Sequence, residues 1–268
     1  MIGNKENYAL ITGASSGIGY ELAKLFAKDG KNIAIVARNE VNLEKVKDEI
    51  EGDYKTKVLV IAKDLSLPST PKEIFDKLQA DGISVDALVN NAGYGVLGKF
   101  SETDLDKELR LIQVFTGSLT HLTKLFLKPM IERESGNIVT VSSGLGMIPI
   151  PFFTVYSACE AYILHFSEAL ANELKGTGVK LTCLLPSPTK TGFAHNANAD
   201  NKRIYNFGLM MDATAVAKAG YKAIKQGKVT SAIGPMNVAT IVMNKILPRK
   251  TCTNLMRLYL EWGLQDVK

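Results

Sequence analysis

The stretch Thr12-Gly13-Ala14-Ser15-Ser16-Gly17-Ile18-Gly19 joins an apolar run, Tyr8–Thr12, to a helical pattern over Tyr20–Asp29. Few folds accept three glycines at this spacing between a strand and a helix. The first lets the chain turn tightly off the strand, the second lets backbone approach a ligand, and the third lets helix pack on strand. The N–H groups and positive dipole of the helix N-terminus then face the turn, an arrangement that suits a pyrophosphate. A bare glycine pattern says little; its place after the first strand and at the mouth of a helix makes it informative.

Downstream, short β-rich apolar runs alternate with helical patterns, as the βαβ units of a mostly parallel sheet require. The predicted strands are Tyr8–Thr12, Asn32–Ala37, Lys57–Ala62, Ala87–Asn90, Asn137–Ser142, Val179–Leu184 and Val229–Ile233. Leu43, Val46 and Ile50, with charged residues between them, mark an amphipathic helix. Asp212 before Ala213–Gln226, with Gly227 after it, reads as a helix capped at both ends. A chain of 268 residues can bury one large α/β core, and no repeat or low-complexity linker divides it, so a single domain is expected.

Composition narrows the function. Hydrophobic residues at 46% and charged residues at 22% exclude the disordered class. The net charge of +5 is spread without a dense Lys/Arg cluster, so nucleic acid is not an expected partner. Cys159, Cys183 and Cys252 are odd in number and lack metal-ligand spacing; they read as free thiols in a reducing compartment, and no metal is expected. Met1–Tyr8 has no apolar signal-peptide core, and the most apolar region, Leu145–Val155, is broken by Pro149 and Pro151. A cytoplasmic location is the expectation.

The glycine turn resembles the Thr-Gly-x-x-x-Gly-x-Gly fingerprint of the short-chain dehydrogenase/reductase family, and further motifs extend the resemblance over about residues 5–235. It implies a Rossmann-like, doubly wound seven-stranded parallel sheet in a three-layer αβα arrangement, and a nicotinamide dinucleotide. By the resemblance, Gly13, Ser15, Ser16, Gly17, Ile18 and Gly19 would hold that cofactor. Ala37 stands where NAD-preferring relatives carry Asp, and Arg38 follows, which favours NADPH over NADH because a guanidinium pairs with a 2′-phosphate. Asp64-Leu65 resembles the adenine contact, and Asn90-Asn91-Ala92-Gly93 matches a motif that supports the sheet and lines the ribose. Pro186-Ser187-Pro188-Thr189-Lys190-Thr191 resembles the turn whose threonine, here Thr191, contacts the nicotinamide carboxamide; Pro186 and Thr189 belong to the same contact.

The catalytic positions are a mixture. Ser143, with Ser142 as the alternative, precedes Tyr156 by the family's usual interval, and Tyr156 opens a helix over Tyr156–Leu174. The family's Lys, one helical turn after the Tyr, is Glu160 here. Its Asn falls at Phe115, or at Val114 if the match shifts by one residue. An ammonium ~5 Å from the phenol at an effective dielectric of ~20 favours phenolate by about 3 kcal/mol. A carboxylate removes that help and opposes it, so Tyr156 becomes harder to ionise. Oxidation of an alcohol, which needs a phenolate base, suffers most; reduction of a carbonyl needs only a neutral Tyr.

The expected activity is therefore slow NADP(H)-dependent carbonyl reduction, with Ser143, Tyr156 and Glu160 at the reacting centre. Two other readings stand beside it: an NADP(H)-binding protein without turnover, and a redox-neutral enzyme using Tyr156 and Glu160 as acid and base. Phe193, Ile204, Tyr205, Phe207, Leu209, Met210 and Met211 lie in a substrate loop over about residues 192–212. With Met147, Ile148, Ile150, Phe152 and Phe153 they suggest an apolar pocket for a small apolar carbonyl compound, or else a packed lid or subunit interface. Motifs around Phe166–Leu170 and Glu173–Val179 resemble the broad ketone, 3-ketoacyl and steroid reductases. The resemblance also implies a homodimer or homotetramer paired through helices over about 103–130 and 156–174. A basic amphipathic segment over about 240–262 could dock on a membrane surface, although docking on the domain or on a second subunit is commoner.

Overall fold

The computed structural model describes residues 6–193, 202–203 and 210–265. The core of the sheet is five largely buried, mostly apolar strands. They are β1 (Glu6–Thr12), β2 (Asn32–Ala37), β4 (Ile83–Asn90), β5 (Gly136–Val141) and β6 (Val179–Pro186), flanked by β3 (Val58–Ala62) and β7 (Thr230–Ile233) at the edges. Strands buried on both faces need no polar alternation, which is why periodicity fails and run length succeeds as a strand signal here. All seven pair in parallel in the order 3-2-1-4-5-6-7, so the Rossmann-like expectation holds.

Helices cover both faces. On one side α1 (Gly17–Lys28), α2 (Glu40–Asp53) and α7 (Ala213–Lys225) bury Leu22, Phe26, Leu43, Ile50 and Val216 against Ala9 and Ile11 of β1. On the other, α3 (Thr70–Ala80), α4 (Leu105–Ile112), α5 (Leu119–Glu132) and α6 (Thr154–Glu173) bury Ile74, Leu111, Phe126 and Ile163 against Tyr8 and Leu10. Successive β1 residues thus serve opposite cores, as the two-residue strand period demands. Asn39, Asp104 and Asp212 cap α2, α4 and α7 by accepting from backbone N–H groups, and Gly227 follows α7 at φ +64°.

Two expectations need correction. The long helix expected over about 103–130 is α4 and α5 joined by a π-helical segment, Gln113–Ser118, which carries Phe115. The C-terminal amphipathic segment is two helices, α8 (Pro235–Ile246) and α9 (Arg249–Gly263), broken at Leu247-Pro248. Pro248 disfavours a helical conformation at the residue before it and so forces the break. Ile204, Tyr205, Phe207 and Leu209 lie outside the described residues. The three cysteines are free and buried.

Candidate active site

The strand order reverses between β1 and β4, and at such a switch point the strand ends leave a crevice. Thr12 staples its floor: the hydroxyl donates to Val89 O at 3.2 Å and accepts from the N–H groups of Asn91 (3.0 Å) and Ala92 (3.1 Å). Asn91 Nδ2 donates to the carbonyls of Thr12 (3.0 Å) and Gly13 (3.2 Å). The Asn91 amide is therefore committed to the scaffold while its side still lines the crevice. Gly13 and Gly17 sit at φ +67° and +61°, a region that strains any residue with a Cβ. Ser16 precedes α1 without a side-chain cap, leaving the first N–H groups of that helix directed at the crevice.

A cavity of about 600 Å³ continues from this turn. Gly13, Ser16, Gly17, Ile18, Asn91, Gly93, Ser143, Tyr156, Glu160, Pro186, Thr189 and Thr191 line it. Ser15, Gly19, Arg38, Asp64, Leu65 and Ala92 do not. Arg38 is exposed beyond the end of β2, and Asp64 is close enough to share its influence on the Tyr94 phenol. One Asp64 oxygen accepts from Ser66 N at 2.9 Å, so this residue caps a turn whatever else it contacts. Leu65 and Ala92 border a small space beneath Phe115, and Gly19 packs α1 against Asn91 and Gly13.

Tyr156 stands on the first turn of α6 inside three rings. Phe115, Phe153 and Phe193 lie with centroids 5.7, 5.5 and 5.4 Å from its own. Phe115 thus forms an apolar wall beside the phenol. Glu160, one turn on, is buried with the Tyr156 and Ser142 hydroxyls beside it, and has one carboxyl oxygen, Oε2, enclosed without a partner. Burial pushes its carboxyl up to about 7, against the opposing pull of those two hydroxyls. Ser142 Oγ is occupied in donating to Glu160 O at 3.0 Å, whereas Ser143 Oγ accepts from Leu145 N at 3.1 Å and keeps its own O–H to give. Between the two serines, Ser143 is the one equipped to polarise a ligand oxygen.

Of the expected pocket residues, Ile150, Phe153, Phe193 and Met210 line the cavity, while Ile148 is buried in the core and Phe152 turns at φ +64° to receive Gly98 N. The remaining wall was not expected: Met236, Thr240 and Met243 of α8 with Met256, Tyr259 and Leu260 of α9. Met236 and Met243, two helical turns apart on one face, were the available signal.

The short chain dehydrogenase family profile matches residues 7–202. The chain belongs to the short-chain dehydrogenase family. It is 36% identical over 193 residues to a very-long-chain 3-oxoacyl-CoA reductase of Bos taurus, covering 70% of this chain and 61% of that protein. A short chain dehydrogenase of Pseudocercospora fijiensis is 38% identical over 185 residues, covering 68% and 60%. The aligned stretch therefore spans about three-fifths of the length of these relatives. Among solved structures, a short-chain dehydrogenase from Sphingobium yanoikuyae in complex with NADPH superposes with a TM-score of 0.80 at 26% identity, covering 98% of each chain.

The residues present fit a nicotinamide dinucleotide. Gly13 and Gly17 bring bare backbone to the cradle, where a Cβ would meet neighbouring atoms, and the uncapped N-terminus of α1 meets it. Thr191 lies against Gly17, with Cγ2 2.8 Å from where a Cβ would stand, so the turn after β6 closes on the glycine turn. Among the described residues no cluster of potential ligands could hold a metal.

Proposed function

We propose that this short-chain dehydrogenase reduces an apolar ketone or aldehyde with NADPH, Tyr156 giving the proton and Ser143 polarising the carbonyl. The reading rests chiefly on one observation: Ser143 and Tyr156 share an apolar-walled cavity with the glycine turn. Arg38 supports the phosphorylated cofactor because its guanidinium is exposed at the end of β2, with Ala37 in place of a carboxylate. NADPH in that cleft would supply the hydride. Ser143 donates its free O–H to the substrate oxygen, and Tyr156 delivers its proton as negative charge grows there. The carboxyl of Glu160, protonated for much of the neutral range, holds a second proton beside Tyr156.

That arrangement favours reduction over oxidation, since α6 carries no Lys or Arg to favour a phenolate. The cavity's Met and aromatic walls favour a flexible acyl or ring-bearing carbonyl compound. The relatives named as 3-oxoacyl-CoA reductases support the same class. A protein that binds NADPH without turnover is the second reading, and the three rings around Tyr156 speak for it by restricting access to the hydroxyl.

The two are separated by NADPH fluorescence titration and by NADPH consumption over ketones of graded chain length. The reductase reading expects turnover in the wild type and a loss of at least about a hundredfold in Tyr156→Phe with NADPH binding intact. Binding without turnover in the wild type, with turnover appearing in Glu160→Lys/Phe115→Asn, would establish the second reading. Rapid alcohol oxidation that depends on Tyr156 would reverse the assigned direction.

A further inference from the structure

Helices α8 and α9 present two unlike faces. Inward, Met243 and Met256 help to wall the cavity. Outward, α8 carries Val238, Val242 and Ile246 at successive four-residue steps, exposed to 53, 48 and 72%. Leu255, Leu258 and Trp262 are exposed in the same way along α9. Ala239 is both exposed and part of the cavity lining, so the cavity reaches the surface beside the apolar stripe of α8.

Charge says what covers such a surface. Lys245, Arg249 and Lys250 are exposed around the junction of the two helices, and Arg257 lies on α9. The sole acid over residues 235–263 is Glu261, which pairs with Arg257 at 2.9 Å. Among the described residues, Lys245, Arg249 and Lys250 have no acidic partner and stand beside two apolar stripes. A second copy meeting this face about a two-fold axis would set those cations against their own kind. An acidic lipid surface accepts both parts, taking apolar side chains at the headgroup–acyl boundary and cations at the headgroups.

We infer that α8 and α9 seat the chain on an acidic lipid surface, with the cavity mouth at Ala239 turned toward it. Among the described residues no helix is long and apolar enough to cross a bilayer, so the two helices lie along the surface. Docking goes beyond the reductase reading; only the corollary that a lipid-borne carbonyl compound enters at this mouth rests on it.

Co-sedimentation of the full chain with phosphatidylcholine vesicles, with and without phosphatidylserine, tests the inference. The chain should sediment with the phosphatidylserine vesicles and be released as salt rises. Lys245→Gln/Lys250→Gln should weaken that binding about thirtyfold, as expected for two cations removed from an acidic surface. Ile246→Ser/Leu258→Ser should weaken it as well, with NADPH titration unchanged in both variants as the check on folding. No sedimentation with acidic vesicles, or wild-type sedimentation by the Lys variant, overturns docking. A dimer mass by light scattering that falls to the monomer in Ile246→Ser/Leu258→Ser, without vesicle binding, assigns the face to a second copy and also overturns it. Vesicle binding is read without substrate, so a chain that docks but never consumes NADPH refutes the reductase reading alone.

Discussion

Glu160 carries a carboxyl group that is buried, with hydroxyl groups rather than a cation beside it. Its ordinary value is 4.5, and burial lifts it to about 7 in the folded chain. The folded state therefore holds this proton to higher pH than the unfolded chain does. Stability from protonated Glu160 is full below about 4.5 and is lost as pH rises through about 7. The loss amounts to about 3 kcal/mol. Neighbouring Cys159 does not blur the effect, because burial pushes its thiol up to about 12. Glu160→Gln keeps the shape without the charge. Urea unfolding across the pH range should find the variant and the wild type alike near pH 4 and the variant more stable by about 3 kcal/mol near pH 8. Equal stability at both ends would mean that the carboxylate is solvated after all.

At the scale of elements, the π-helical segment between α4 and α5 decides what faces Tyr156. A π turn widens the helix and re-aims the side chains it carries, and such turns recur at functional sites. Here the re-aimed residue is Phe115, whose Cζ lies 2.5 Å from where a Cβ at Gly93 would stand. Gly93→Ala should cost about 1–3 kcal/mol by overpacking, since the ring is held from the other side by Tyr156. Phe115→Leu should relieve much of that cost in the double variant, a coupling that denaturant unfolding of the four proteins in a cycle would measure. Additive losses would show that ring and glycine do not share one space. The same elements mark how far sequence reasoning reaches. The strands were legible because runs such as Ile33–Ala37 are apolar without interruption. The π turn was not, because Gln113–Ser118 has the spacing of ordinary helix and its extra residue is fixed by tertiary contacts. The helices α8 and α9 were half legible: Pro248 announces the break, but nothing local says that Met256 and Tyr259 fold back onto a cavity begun at Gly13. Asp64 is the reverse case: an Asp just after a strand is a common turn cap, and the turn cap is present.

Across the whole molecule, the switch point joins parts of the chain that no local contact would hold together. The glycine turn belongs to β1, Arg38 to the end of β2, and Thr191 to the turn after β6, which closes against Gly17. A ligand that touches all three binds the folded state and has no counterpart in the unfolded chain. It must raise stability by about 2.7 kcal/mol at a hundredfold excess over its dissociation constant. For a chain of this size that is a rise in melting temperature of about 5–10 °C. Arg38 should make NADPH the stronger stabiliser, because a guanidinium–phosphate pair contributes about 1.5–3 kcal/mol that NADH cannot collect. Arg38→Gln should weaken NADPH at least about tenfold and so cut its thermal shift at that concentration to about half. The NADH shift should stay where it was. Thermal melts of both proteins with each dinucleotide read this without any substrate. If Arg38→Gln left the NADPH shift whole, the 2′-phosphate would lie away from the end of β2 and the NADPH preference would have to come from another cation.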